Sequence, residues 1–223
     1  HLKFKKKIKK SKIKIIYGSS WDYSKKFINK TFNTNKIEDY SVFIDGTVPM
    51  FKGDNKTIGH ADYLTNKIWY PLLCKFFNNF ENYSKTKVII CGHPKTNWEQ
   101  FPIEFENREV VYNKTEELIK NSKYVFSRGS TALSYCAIYN IPSFIIYSDQ
   151  ILKSKNTINE MKNISKEYSI EMFNINKTLN INIFDSLTKN NLISYNAYIK
   201  NYLTSENIDL ANFKIIENII NEK

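Results

Sequence analysis

The chain has only three cysteines in 223 residues, Cys74, Cys91 and Cys136, and no two of them stand as Cys-x-x-Cys. That scarcity excludes a disulfide scaffold, and the three read as buried core thiols in a reducing compartment. No His/Cys cluster has zinc spacing. No apolar run is long enough to span a bilayer, and the basic first residues are not followed by the apolar stretch of a secretory signal. GxxxxGK[ST] is missing, which excludes a P-loop enzyme, and so is GxGxxG, which argues against ordinary dinucleotide binding. No two aspartates are spaced as Asp-x-Asp, a common divalent-metal signature at nucleotide-sugar sites. A phosphate-handling site in this chain would therefore rest on helix termini and cationic side chains, with no metal and no cofactor.

What is present points to a folded domain. Hydrophobic residues make up 42% and aromatics 15%, which argues against disorder, and the length suits one large domain or one and a half small ones. The formal charge of +11 is unevenly placed, because residues 1–14 hold eight lysines and no acid. That Lys3–Lys14 stretch reads either as a solvated linker or as a surface for phosphate or anionic lipid. The aromatics elsewhere fall on apolar periodic faces and not in a basic interleaved groove, so no nucleic-acid partner is expected.

Residues 123–148, KYVFSRGSTALSYCAIYNIPSFIIYS, organise the rest. Lys123–Ser127 reads as a buried strand and Arg128-Gly129-Ser130-Thr131 as a tight turn. Ala132–Tyr139 reads as a helix burying Leu133, Cys136 and Ala137, Asn140-Ile141-Pro142 as its stop, and Ser143–Tyr147 as a second strand. This is a βαβ unit, hence a parallel pair with a right-handed crossover. Further strands are expected at 12–17, 40–45, 87–91, 109–112 and 171–175. Helices are expected at 24–32, 63–83, 114–122, 156–168, 188–203 and 209–221. Ile68, Leu72, Phe76, Asn79 and Phe80 trace one side of the long helix, with Leu73 and Phe77 beside it, and Pro71 predicts a kink or a second start. Asn113 and Glu116 have the spacing of a capping pair. The alternation implies an α/β fold, a Rossmann-like parallel sheet with helices on both faces. We divide the chain into a basic N-terminal segment (1–39), a Rossmann-like domain (40–187) and C-terminal helices (188–223).

In such sheets ligands bind beyond the carboxyl ends of the strands. Three polar clusters fall there: Asp45-Gly46, Gly92-His93-Pro94-Lys95 and Ser127-Arg128-Gly129-Ser130-Thr131. Gly129 allows close backbone approach, and Ser130 and Thr131 sit where a helix begins, as a simple N-cap or as a phosphate cradle. His93, held by Pro94, can donate to a phosphate oxygen, Lys95 can add charge, and Arg128 suits bidentate anion contact. Asp45 is either a turn residue or a general base for an acceptor hydroxyl. His60, in the long loop 46–62, is a competing base, and Trp21 and Asp22 are expected at the same edge.

These clusters resemble the C-terminal, donor-binding half of GT-B glycosyltransferases, most of all the acidic-Gly, His-Pro and Ser-Ser/Thr motifs of bacterial sialyltransferases and polysialyltransferases. The counterparts are Asp45-Gly46, His93-Pro94 and Ser130-Thr131, over roughly residues 40–150. The chain departs from that pattern where Ile44 stands in place of a second acid, and in opening one domain with both Asp45 and His93. The resemblance implies that His93 and the Ser130-Thr131 pair contact a CMP phosphate and that Asp45 acts as base. It also implies a nucleotide-sugar donor, a glycan or glycolipid acceptor, and a chain without its N-terminal, acceptor-binding half. The expected place is the cytoplasm at the inner membrane surface, with Lys3–Lys14 touching the membrane. A polyol-phosphate transferase or nucleotide-sugar epimerase of the same architecture, and a non-catalytic binding module, are the alternatives.

Overall fold

The computed structural model describes residues 15–28, 38–50, 64–97, 99, 102–178, 194–205 and 209–221. Two compact units divide the chain: residues 32–199, and residues 1–31 together with 200–223.

The larger unit is built on six strands: β1 (Tyr40–Ile44), β2 (Lys87–Cys91), β3 (Val110–Val111), β4 (Val125–Ser127), β5 (Ser143–Tyr147) and β6 (Met172–Asn174). All neighbouring pairs are parallel, in the order β3-β2-β1-β4-β5-β6. The chain thus winds outward from β1 in one direction, returns, and winds outward from β4 in the other. This is the doubly wound order, whose reversal lies between β1 and β4. The expected α/β class and parallel sheet are observed.

Register explains the layers. Phe43 pairs with Phe126 and Phe126 with Phe144, so three rings line one face of the sheet. Across them lies α2 (Asn66–Ser84), continuous through Pro71. Phe126 sits edge-on to Phe76 at 5.3 Å and Phe80 at 4.7 Å, and Phe77 lies 5.4 Å from Phe43. The buried side of α2 is Trp69, Tyr70, Leu73, Cys74, Phe76, Phe77 and Phe80. It is rotated from the expected side, leaving Ile68 and Asn79 exposed, because the large rings of Trp69 and Tyr70 take the core in place of Ile68.

The opposite face, lined by Val42, Ile44, Val125 and Ile145, carries α3 (Thr115–Asn121), α4 (Leu133–Tyr139), α5 (Lys155–Tyr168) and a helical segment over 194–198. Tyr40 Oη donates to the Leu118 carbonyl at 3.1 Å, and Ser143 Oγ meets Tyr195 Oη at 2.7 Å. Tyr168 stacks on Tyr198 at 3.8 Å. The Asn113–Glu116 capping pair does not form. Asn113 is left-handed (φ 58°), Lys114 caps α3 without a side-chain bond, and Glu116 instead accepts from Tyr139 Oη at 2.6 Å.

In the smaller unit, residues 15–17, the described part of the expected first strand, carry no ladder. The helix α1 (Trp21–Lys25) starts earlier than expected, because Ser20 Oγ caps it through the Tyr23 N–H. A π-helical turn spans Ile199–Leu203, and α6 (Asn212–Asn221) follows it. Asn212 bonds Ser19 through both its amide oxygen and nitrogen, each at 2.9 Å. Among the described residues no helix is long and apolar enough to cross a membrane.

Two outcomes test this core. Phe126→Ala is expected to cost about 3–5 kcal/mol in urea unfolding, since its ring joins three others from two layers. All three cysteines are buried, and burial pushes the thiols up, that of Cys74 to about 11. A thiol reagent at about pH 8 should therefore find almost none of them in the folded chain and all three in denaturant.

Candidate functional site

The reversal between β1 and β4 places two loops side by side at the carboxyl edge. Asp45 follows β1 directly, and its N–H extends the ladder to the Cys91 carbonyl at 3.0 Å. Arg128 follows β4 and reaches back across β1. Its Nη1 donates to the Val48 carbonyl at 2.7 Å, and its guanidinium lies 5.4 Å from the centre of the Trp69 ring. Burial lowers the Arg128 pKa, while the charge of Asp45 and the phenol of Tyr70 oppose that fall. Burial likewise raises the Tyr70 pKa, with Asp45 adding to the rise and Arg128 countering it. Asp45 is only 5% exposed, and its charge acts on the Arg128 guanidinium. Gly46 stands against the same group, since a Cβ there would lie 3.9 Å from Arg128 Nη2.

The next loop on this side belongs to β2. Gly92 is tightly enclosed, because a Cβ would meet the Tyr112 ring at 2.7 Å and Val110 at 2.9 Å. His93 to Thr96 form a turn closed by the Thr96 N–H on the His93 carbonyl at 2.9 Å. Tyr112 Oη pins that turn through the Thr96 carbonyl at 2.8 Å. The Lys95 N–H donates to His93 Nδ1 at 3.2 Å, so the neutral imidazole carries its proton on Nε2. His93 is half-buried, and Pro94 and Lys95 are exposed.

The loop after β4 bends at Gly129, whose φ of +114° strains any other residue, and whose missing Cβ leaves room for Ile164 of α5. Ser127 Oγ accepts the Gly129 N–H at 3.1 Å, and Ser130 Oγ accepts that of Ala132 at 3.2 Å. The helix then begins at Leu133 behind Ala132. Ser130 therefore caps the turn and not the helix proper, and Thr131 is exposed beside it. Among the described residues no acceptor takes the N–H of Ser130 or Thr131.

The sheet thus brings Asp45, Gly46, Gly92–Lys95 and Ser127–Thr131 to one edge. The His93 and Ser130 loops are separated by β1, about 10 Å at ordinary strand spacing. His60 lies outside the described residues, and Trp21 and Asp22 belong to α1 in the smaller unit. Trp69, Tyr70 and the Val48 carbonyl, which fix Arg128, were not foreseen. Their only trace in the sequence is an aromatic pair inside the long helix. Among the described residues there is no cluster suited to a metal ion.

No protein-family model matches the chain, and no curated protein does. Among solved structures, the heptosyltransferase WaaC of E. coli with ADP is similar at 17% identity and a TM-score of 0.40, over 84% of this chain and 54% of that one. The UDP-GlcNAc 2-epimerase of Methanocaldococcus jannaschii, in complex with UDP-GlcNAc and UDP, is similar at 12% identity and a TM-score of 0.39, over 91% of this chain and 51% of that one. The chain spans about half the length of these solved proteins.

Asp45→Asn removes a buried charge that favours the Arg128 guanidinium and is expected to destabilise the fold by about 0.5–3 kcal/mol. The double variant Asp45→Asn/Arg128→Met should recover part of that loss in chemical denaturation, which separates a coupled pair from two independent residues.

Proposed function

We propose that this chain is the donor-binding part of a metal-independent glycosyltransferase that uses a nucleotide-activated sugar. The observation that supports it best is the strand order, whose reversal between β1 and β4 sets the Asp45 and Ser127–Thr131 loops side by side. In a doubly wound sheet that reversal is where a nucleotide sits. The amides of Ser130 and Thr131, which no acceptor takes among the described residues, lie beside the left-handed Gly129 and suit the oxygens of a leaving phosphate. On the other flank, an imidazole with its proton on Nε2 suits a second phosphate oxygen.

In this reading an acceptor hydroxyl of a surface glycan or glycolipid attacks the anomeric carbon. The bond from that carbon to the donor phosphate breaks, and the electron pair leaves with the phosphate. The amides and His93 hold the charge that develops there. Asp45 takes the hydroxyl proton, with Arg128 positioning its carboxylate. The motifs favour a CMP-linked acidic sugar, for which Lys95 supplies a cation at the rim.

Thermal unfolding with CMP, UDP and ADP tests the proposal. One of them is expected to raise Tm by several degrees at a concentration about 100-fold above its Kd, the scale set by binding linkage. His93→Ala should remove most of that shift while keeping the unliganded Tm near the parent's. Unchanged melting with all three nucleotides would overturn the proposal.

A further inference from the structure

The smaller unit carries a feature that sugar transfer does not use. In α6, Phe213, Ile215, Ile216, Ile219 and Ile220 fall within one arc at helical spacing, and Lys214, Glu217, Asn218 and Asn221 fall on the other. No residue of this helix is buried. Phe213 is 51% exposed, Ile216 47% and Ile220 64%, so the apolar arc faces outward along its length. The helix is nonetheless fixed at its start, where Ala211 is buried and Asn212 bonds Ser19 and Ser24. On α1, to which that start is tied, Trp21 is 65% exposed. A run of large exposed apolar side chains on one element marks a contact surface.

Charge identifies the occupant. Residues 1–31 and 200–223 hold fourteen lysines against five acids, which is +9 of the chain's +11. The other 168 residues, 32–199, are close to neutral at +2. A unit that is strongly basic and also presents an uncovered amphipathic helix with an exposed indole has the two attractions an anionic bilayer offers. One is apolar insertion at the level of the headgroups, and the other is attraction of lysines to the acidic leaflet. A second copy of the chain would have to bring the same excess of positive charge into the contact.

We infer that α6 lies in the plane of an anionic lipid surface with Phe213, Ile216 and Ile220 inserted, and that the lysines of the same unit draw the chain there. This does not rest on the proposed transferase reading, because flotation is read without nucleotide.

The test is co-flotation of the full chain with vesicles of phosphatidylcholine alone and with about 30% phosphatidylglycerol added. The anionic vesicles are expected to carry the protein, and raising the salt should release it. Phe213→Ser/Ile216→Ser/Ile220→Ser should weaken binding by roughly tenfold or more with the Tm kept near the parent's. Should the triple variant fail to fold, Ile220→Ser alone, near the end of the helix, serves with a smaller loss. Absence of flotation, or equal flotation of folded parent and variant, overturns the inference. So does a concentration-dependent dimer in light scattering that the same variants dissociate, because a second copy would then cover the helix.

Discussion

The site depends on one electrostatic constraint: a guanidinium turned into the protein must be answered there. Arg128 leaves the end of β4, crosses to the segment after β1, and is met by the Val48 carbonyl, the Trp69 ring and the Asp45 charge. Arginine suits this place because its planar fork can bond a carbonyl while its face lies on an aromatic ring. The result joins two strands far apart in sequence at the point where the sheet reverses direction. Asp45 and Gly46 are held to one geometry by that contact, and the adjoining Ser127–Thr131 turn inherits it.

A second constraint works from behind the sheet. Gly129 can take its left-handed φ and admit Ile164 only because it lacks a Cβ, so the turn rests on α5. Gly92 does the same against Tyr112 and Val110 on the β2 side, and Tyr112 then holds the His93 turn from below. Both loops, after β4 and after β2, are thus set by packing of glycine backbone onto large side chains. The polar groups at the rim are supported by an apolar layer.

Much of this was legible in the sequence, and the reasons differ by element. Val42–Ile44 and Phe144–Ile146 are unbroken apolar runs buried from both sides, and Val88–Cys91 is one with only Ile89 half-buried, which is the pattern of parallel strands. The turn at Gly129 announced itself through its composition. The rotated face of α2 did not, because periodicity ranks Ile68 and Trp69 alike while burial favours the larger ring. The missing cap at Asn113 went unseen because Glu116 is claimed by Tyr139, twenty-three residues on. The inward turn of Arg128 went unseen for a similar reason: its partners lie in the segment after β1 and in α2, and no local spacing reveals a contact made across the fold.

The two outermost strands have a further consequence. β3 is two residues long and β6 three, although the strands between them reach five. A sheet's border presents unpaired amides and carbonyls that another polypeptide can adopt as a template. Here each border is so short that an invading strand would gain only a bond or two before running off it. The fold can therefore keep a long, strongly apolar interior while offering almost no seed for edge-to-edge aggregation.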